Sequence, residues 1–395
     1  MSYKKVKISD IGKIVSGATP KTKNVDNYGG SIAWITPADL SGYTSKYISH
    51  GSRNITQKGY DSCSTHLMPR GTVLFSSRAP IGYVAIAENP ICTNQGFKSI
   101  VPNDDIDSEF LYYQLQYLRK KIQEKGSGTT FKEISGKVLG ETDIVVPSLE
   151  EQSRIVTYIE ELFSELDKAV DTLKTTKEQL EVYRQAVLKE IFDSVSTTSV
   201  HIKDVCLDIK VGIVIKPTQY YVSENGVPAF RNANVRRGYI NDTDWVMISK
   251  EGHQQNCRSE VHTNDVLISR SGANLGMASV VSARYNGYNA IDVVIAVPDI
   301  SKVIPEFLAQ YTNSPMGRAI VKKNERGAAQ GHLNVSAYAN LPIGVPDLQE
   351  QEKLVKQISD RLSVCDSIEK TVDTALAQAD AMRQSILKQA FEGTL

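Results

Sequence analysis

Val146-Pro147-Ser148-Leu149-Glu150-Glu151-Gln152 returns as Val345-Pro346-Asp347-Leu348-Gln349-Glu350-Gln351, 199 residues further on. A second block, Arg184-Gln185-Ala186-Val187-Leu188-Lys189, returns as Arg383-Gln384-Ser385-Ile386-Leu387-Lys388 at the same offset of 199. Two blocks sharing one large offset mark a tandem repeat, which governs the architecture before any single element does. Upstream, Val73-Leu74-Phe75-Ser76 returns as Val266-Leu267-Ile268-Ser269, and Glu109-Phe110-Leu111 as Glu306-Phe307-Leu308, at offsets of 193 and 197. Small insertions therefore separate the halves. Duplication without functional meaning is one reading of this pattern; a two-site binder is the preferred one.

Each half runs globular part, then helix. The globular parts, 1–147 and 198–346, consist of short β-rich runs broken by Gly, Pro and Asn. Residues 71–76 and 83–87 flank Ala79-Pro80-Ile81-Gly82 as strand, turn, strand, and the second half repeats this around 272–276. Each part also holds a predicted helix, over 108–124 and 305–324. The class is α+β.

The helical parts span 148–194 and 347–392. Ser148 with Glu151, and Asp347 with Glu350, have capping-box spacing. A 4-3 spaced seam follows: Ile155, Ile159, Leu162, Leu166, Ala169, Leu173, Thr176, Leu180, Tyr183 and Val187. Its counterparts are Leu354, Ile358, Arg361, Cys365, Ile368, Val372, Ala375, Ala379, Met382 and Ile386. A helix of about 43 residues is roughly 65 Å long and needs a partner to hide such a stripe. The two helices are expected to pack as an antiparallel coiled coil, relating the globular parts by a pseudo-two-fold. The stripe is wider than one seam requires. Val156, Phe163 and Val170 extend it, as do Val355, Leu362 and Leu376. These six suit docking of a partner protein, or equally docking of the globular parts on the helices.

The chain has 395 residues, enough for two or more domains. Apolar residues make 41% and charged residues 23%, which excludes collagenous, mucin-like and disordered classes. No stretch approaches the ~20 apolar residues of a membrane span. No apolar h-region follows Met1-Ser2-Tyr3-Lys4-Lys5, so no signal peptide is expected. Five cysteines, at 63, 92, 206, 257 and 365, show no C-x-x-C spacing and fit a reduced, cytoplasmic protein. The formal net charge is zero, with 45 basic and 45 acidic residues. That balance hides a segregation. Residues 1–147 carry 18 basic and 13 acidic groups, and 198–346 carry 15 and 12. Residues 148–197 carry 6 and 11, and 347–395 carry 6 and 9. A polyanion would be drawn to the globular parts and repelled by the helices.

Catalytic signatures are missing. The chain has no P-loop, no G-x-G-x-x-G fingerprint, no H-E-x-x-H, no G-x-S-x-G elbow and no Asn-Pro-Pro-aromatic tetrapeptide. Gly126-Ser127-Gly128-Thr129-Thr130 reads as a turn. Neither histidines nor cysteines cluster at metal-ligand spacing. The balance favours a non-catalytic recognition protein, without a cofactor or metal of its own.

This organisation resembles the specificity subunit of type I restriction-modification systems. The likeness covers the whole chain. It rests on the two Pro-[Ser/Asp]-Leu-x-Glu-Gln helix starts, the tails at 184–192 and 383–391, the turns at 73–82 and 266–272, and the segments 126–135 and 327–336. The resemblance implies two target-recognition domains, 1–147 and 198–346, each reading half of a bipartite double-stranded DNA target. Helices 148–197 and 347–395 would act as a ruler for the unread gap. Two methyltransferase subunits would supply S-adenosylmethionine binding and adenine-N6 methylation. Two motor-nuclease subunits would add ATP- and Mg-dependent translocation and cleavage. The competing reading is a coiled-coil scaffold without DNA specificity.

Reading DNA needs Arg, Lys, Asn and Gln at groove edges and on phosphates. In the second domain the candidates are Arg231, Asn232, Asn234, Arg236 and Arg237, then Gln255 and Arg258, then Arg270. In the first they are Lys21, Lys23, Arg53, Lys58, Arg78 and Lys98. Taken singly, each reads better as a solvated surface group; as a set, roughly a third are expected to touch DNA. Trp34 and Trp245 are expected in the core.

Overall fold

The computed structural model describes residues 4–128, 132–195, 197–325 and 332–392. The chain divides into two compact units, 1–173 with 374–395, and 174–373. The division falls inside both long helices, Leu149–Asp193 and Leu348–Glu392.

In the first unit a five-stranded sheet runs in the order Gly12–Ser16, Lys98–Pro102, Val73–Ser77, Ile81–Ala87, Tyr47–Ile48. Its pairings are antiparallel except the last, which is parallel. Val73–Ser77 is buried throughout, as suits a strand covered on both faces. Helix Ser108–Glu124 packs on it, its start capped by Asp107. A small antiparallel ribbon, Lys4–Lys7 with Asp143–Val146, leads straight into Pro147 and the first long helix.

The second unit repeats the plan with a larger inserted sheet. Cys206–Val211, Val293–Pro298, Val266–Ser269 and Ala278–Val280 form one antiparallel sheet. Tyr221–Val222, Val246–Ile248, Val227–Phe230 and Asn289–Ala290 form another. The ribbon before the second long helix pairs Ser199–His201 with Pro342–Gly344. The helix expected over 305–324 is two helices, Pro305–Asn313 and Pro315–Glu325. The cause is Pro315, which lacks an N–H and drives Ser314 to an extended ψ of 161°.

The repeated Gln explains the repeated motif. Gln152 is fully buried; its Nε2 donates to the carbonyls of Asp105 and Pro147 at 3.0 Å, and its Oε1 accepts from Asp107 N at 2.8 Å. Gln351 does the same with Lys302, Pro346 and Ile304 at 2.8–2.9 Å. Each glutamine ties a helix start to the loop before the helix of its own globular part. Ser148 and Asp347 cap the helices through Glu151 N at 3.4 Å and Glu350 N at 2.9 Å.

The helices run antiparallel within each unit. In the second, the ion pairs Lys177–Asp373, Arg184–Asp366 and Arg361–Glu190 descend one helix while climbing the other. In the first, Arg383 pairs with Asp167. Both ends join the globular cores. Ile155, Val156, Ile159, Ile386, Leu387, Ala390 and Phe391 belong to the first core, with Leu162, Phe163 and Leu166 against it. Val187, Leu188, Ile191, Phe192, Leu354 and Ile358 belong to the second, with Val355 and Leu362 against it.

Four expected seam residues stand exposed: Ala169 and Tyr183 on the first long helix, and Ile368, at 40%, and Met382, at 54%, on the second. Burial on this helix instead follows Ile358, Cys365, Val372, Ala379 and Ile386, one residue per heptad. Charged side chains flank that line, including Glu369 and Arg383, so the apolar strip is narrow there. Leu173, Leu180, Val170 and Leu376 are half-buried. Of the six proposed docking residues, Val156, Phe163, Val355 and Leu362 are occupied by their own globular cores.

Candidate nucleic-acid interface

In the second domain four loops converge, drawn from strands of both its sheets and from one helix start. They follow the strands Val227–Phe230 and Val266–Ser269, precede Val293–Pro298, and precede the helix Val335–Ala339. Asn232 is the hub. Its Oδ1 accepts from Arg270 N at 2.6 Å and Ser269 Oγ at 3.1 Å, and its Nδ2 donates to Ser271 Oγ at 2.9 Å. Asn274 Nδ2 donates to its carbonyl at 3.0 Å. Arg270 Nε donates to Leu333 O at 2.8 Å, and Nη1 to Asp292 Oδ1 at 2.6 Å. Arg231, the residue before Asn232, donates from Nη2 to Asp244 O at 2.5 Å.

The structure thus brings Asn232 and Arg270 together and sets other candidates apart. Asn234 is fully buried. Its Oδ1 accepts from Arg231 N at 2.9 Å, and its Nδ2 donates to Asn241 O and Thr243 O, so it shapes the loop and cannot reach a base. In the first domain Asp39 makes the same turn with Thr36 N at 2.7 Å. Arg236 is half-buried, its Nη1 donating to Val235 O at 3.4 Å and its backbone N to Tyr239 O at 3.1 Å. Arg237 pairs with Glu181 of the first long helix. Burial, aided by the nearby Arg318 charge, pushes its guanidinium down to about 10. Its Nε and Arg318 Nη1 are buried without a hydrogen-bond partner. Gln255 and Arg258 are exposed on another element, helix Lys250–Gln255 and the turn Cys257–Ser259.

In the first domain Lys21, Lys23, Arg53 and Lys58 gather around one turn, Val25–Asn27. Lys21 O accepts from Asn27 Nδ2, Lys58 pairs with Asp26 at 2.7 Å, and Arg53 lies 3.9 Å over the Tyr28 ring. Arg78 stands apart, 3.8 Å from Glu133, and Lys98 is half-buried at its strand's start. Trp34 is buried, and Trp245 packs among Phe230, Tyr285 and Tyr288. Thr129, Thr130 and residues 327–331 lie outside the described residues.

Sequence reasoning missed Asp292, His332, Arg318 and the Lys120–Lys132 pair beside the Ala79-Pro80 turn. Asp292 left one signal, an acid interrupting the apolar run Ala290-Ile291-Asp292-Val293-Val294. Among the described residues no three His, Cys, Asp or Glu could hold a metal. No described helix is long and apolar enough to cross a membrane.

A family model described as the type I restriction modification DNA specificity domain matches residues 2–182 and again 188–378. The chain is similar to the MjaIX specificity subunit of Methanocaldococcus jannaschii, at 45% identity over 47% of this chain and 43% of that one. It is similar over 100% of its length to 86% of the EcoBI specificity subunit of Escherichia coli, at 25% identity. The chain therefore spans less than half the archaeal relative and most of the bacterial one. A chain solved in a study of complex assembly and conformational transition of the type I R-M system has the same fold, with a TM-score of 0.75 and 20% identity, covering 100% of this chain and 98% of that one.

Proposed function

Since this chain belongs to the type I restriction modification DNA specificity family and carries its domain twice, we propose that it is the sequence-reading subunit of such a complex. The observation that carries this reading is the doubled unit itself: two globular parts, each tied by a buried Gln to a long helix. Residues 1–147 and 198–346 each read one half of a bipartite double-stranded DNA site. Residues 148–197 and 347–395 are the spacer that sets the unread gap. The family's role is recognition, and the chemistry belongs to partners. Two methyltransferase subunits bind S-adenosylmethionine and methylate adenine N6. Two motor-nuclease subunits use ATP and Mg. The complex works in the cytoplasm.

Loops held by a rigid scaffold suit this task. Base edges are read by Arg and Asn fixed in one orientation, and the phosphates supply salt-dependent affinity. Arg270 is fixed in that way, and Asn232, its amide engaged by Arg270 N, Ser269 and Ser271, braces it.

The test is co-expression with the neighbouring methyltransferase subunit, followed by mapping of adenine methylation by single-molecule sequencing. A bipartite motif with a fixed gap is expected, lost when this chain is omitted. Exchange of 1–147 for a related domain should change one half-site alone. A stable complex without new methylation would return the scaffold reading.

A further inference from the structure

The four loops of the second domain meet on one acidic residue. Asp292 has a φ of +51°, a left-handed backbone that costs a side-chain-bearing residue energy and is held only where the surroundings impose it. Its Oδ1 accepts from Arg270 Nη1 at 2.6 Å; its Oδ2 faces Asn232 Nδ2 at 3.5 Å and His332 Nδ1 at 4.0 Å. With Nε on Leu333 O, the Arg270 fork is pinned at two of its three nitrogens. Among the described residues no partner takes Nη2. A carboxylate is a costly neighbour for a polyanion, so its place among DNA-reading loops calls for a compensating role.

We propose that Asp292 is the positioning residue that sets base choice in the second half-site, by holding Arg270 and Asn232 in one geometry so that the free edge of Arg270 meets a base. This rests on the DNA-reading role proposed above. A free arginine samples many rotamers, whereas reading a base needs the guanidinium plane already set. Asp292 sets that plane from a half-buried position, where the Arg270 pair is shielded from salt. It also joins loops far apart in sequence, so they move as one body.

The first domain provides an internal control. There Ile134 N donates to Ser77 O as Leu333 N donates to Arg270 O, which puts Ser77 where Arg270 stands. Whatever reads the first half-site, no such arginine stands at that position.

The experiment uses the full chain with its methyltransferase subunit and reads the methylated motif. For Asp292→Asn, one position of the second half-site should become degenerate, with discrimination falling roughly tenfold or more. The first half-site and the gap should stay as they were. An unchanged, fully stringent second half-site would overturn the proposal while leaving the recognition role intact. A wild-type chain that directs no bipartite methylation would remove both. Should Asp292→Asn fail to form the complex, Arg270→Lys carries the test: it keeps the charge and loses the fork. Relaxation confined to one position of the second half-site supports the proposal, and an unchanged motif overturns it.

Discussion

Gln152 and Gln351 each satisfy three backbone groups from a fully buried site. Removing such a side chain strands buried donors and acceptors, which costs more than a surface hydrogen bond returns. Gln152→Ala and Gln351→Ala should each destabilise by about 2–3 kcal/mol in chemical denaturation. Stability also depends on pH through one half-buried acid contact. Burial alone would raise the Glu109 carboxyl, but hydrogen bonds from Lys46 and Tyr47 outweigh it and hold it below its ordinary 4.5. A carboxylate lowered on folding stabilises above its unfolded pKa, and that contribution fades as pH falls through the folded value. Acid titration of unfolding should therefore show a loss below about pH 4.5, shrinking in Glu109→Gln. At this scale the sequence was legible only where residues repeat. The Gln positions were quoted in the motif, although their bonds to distant loops were not. Asn234 misled because an Asn that caps a turn and an Asn that reads adenine look the same in one dimension. Asp292 went unnoticed because its partners come from loops 22 to 60 residues away.

The helices illustrate what periodicity can and cannot foresee. Their starts, their length and their antiparallel course all follow from capping residues and spacing. Which heptad position is buried does not, because that depends on the width of the facing surface. Ile368→Gln and Met382→Gln should shift stability by less than about 0.5 kcal/mol, whereas Val372→Ala and Ile358→Ala should cost about 1–4 kcal/mol. The ion pairs are also reciprocal: Arg184–Asp366 and Arg383–Asp167 interchange under the 199-residue offset. Arg184 is 13% exposed at its side chain and bonds both Asp366 and Glu369, at 2.6 and 2.8 Å. A double-mutant cycle on Arg184 and Asp366 should give a coupling of about 1 kcal/mol, above the median for exposed pairs. The split at Ser314-Pro315 could have been read from the proline alone, since the residue before it leaves the helical region.

For the molecule as a whole, the repeat predicted two similar parts, and two units are present. Each core is completed by the ends of both long helices. Residues 1–147 alone lack Ile155, Ile159, Ile386 and Phe391, which line that core. Expressed by itself, this fragment should aggregate or show no cooperative melt in circular dichroism. Residues 1–173 joined through a short linker to 374–395 should melt cooperatively. A stable 1–147 would show that the helix ends contribute little to the first core.

Core membership also fixes a timetable for synthesis. The second unit, 174–373, is one unbroken stretch and can close as soon as it leaves the ribosome. The first begins earlier but waits for Ile386, Leu387, Ala390 and Phe391, which follow the whole of the second unit. The unit that starts earlier is therefore finished after the second, and while 174–373 is being made its apolar floor lies open to whatever else is in reach.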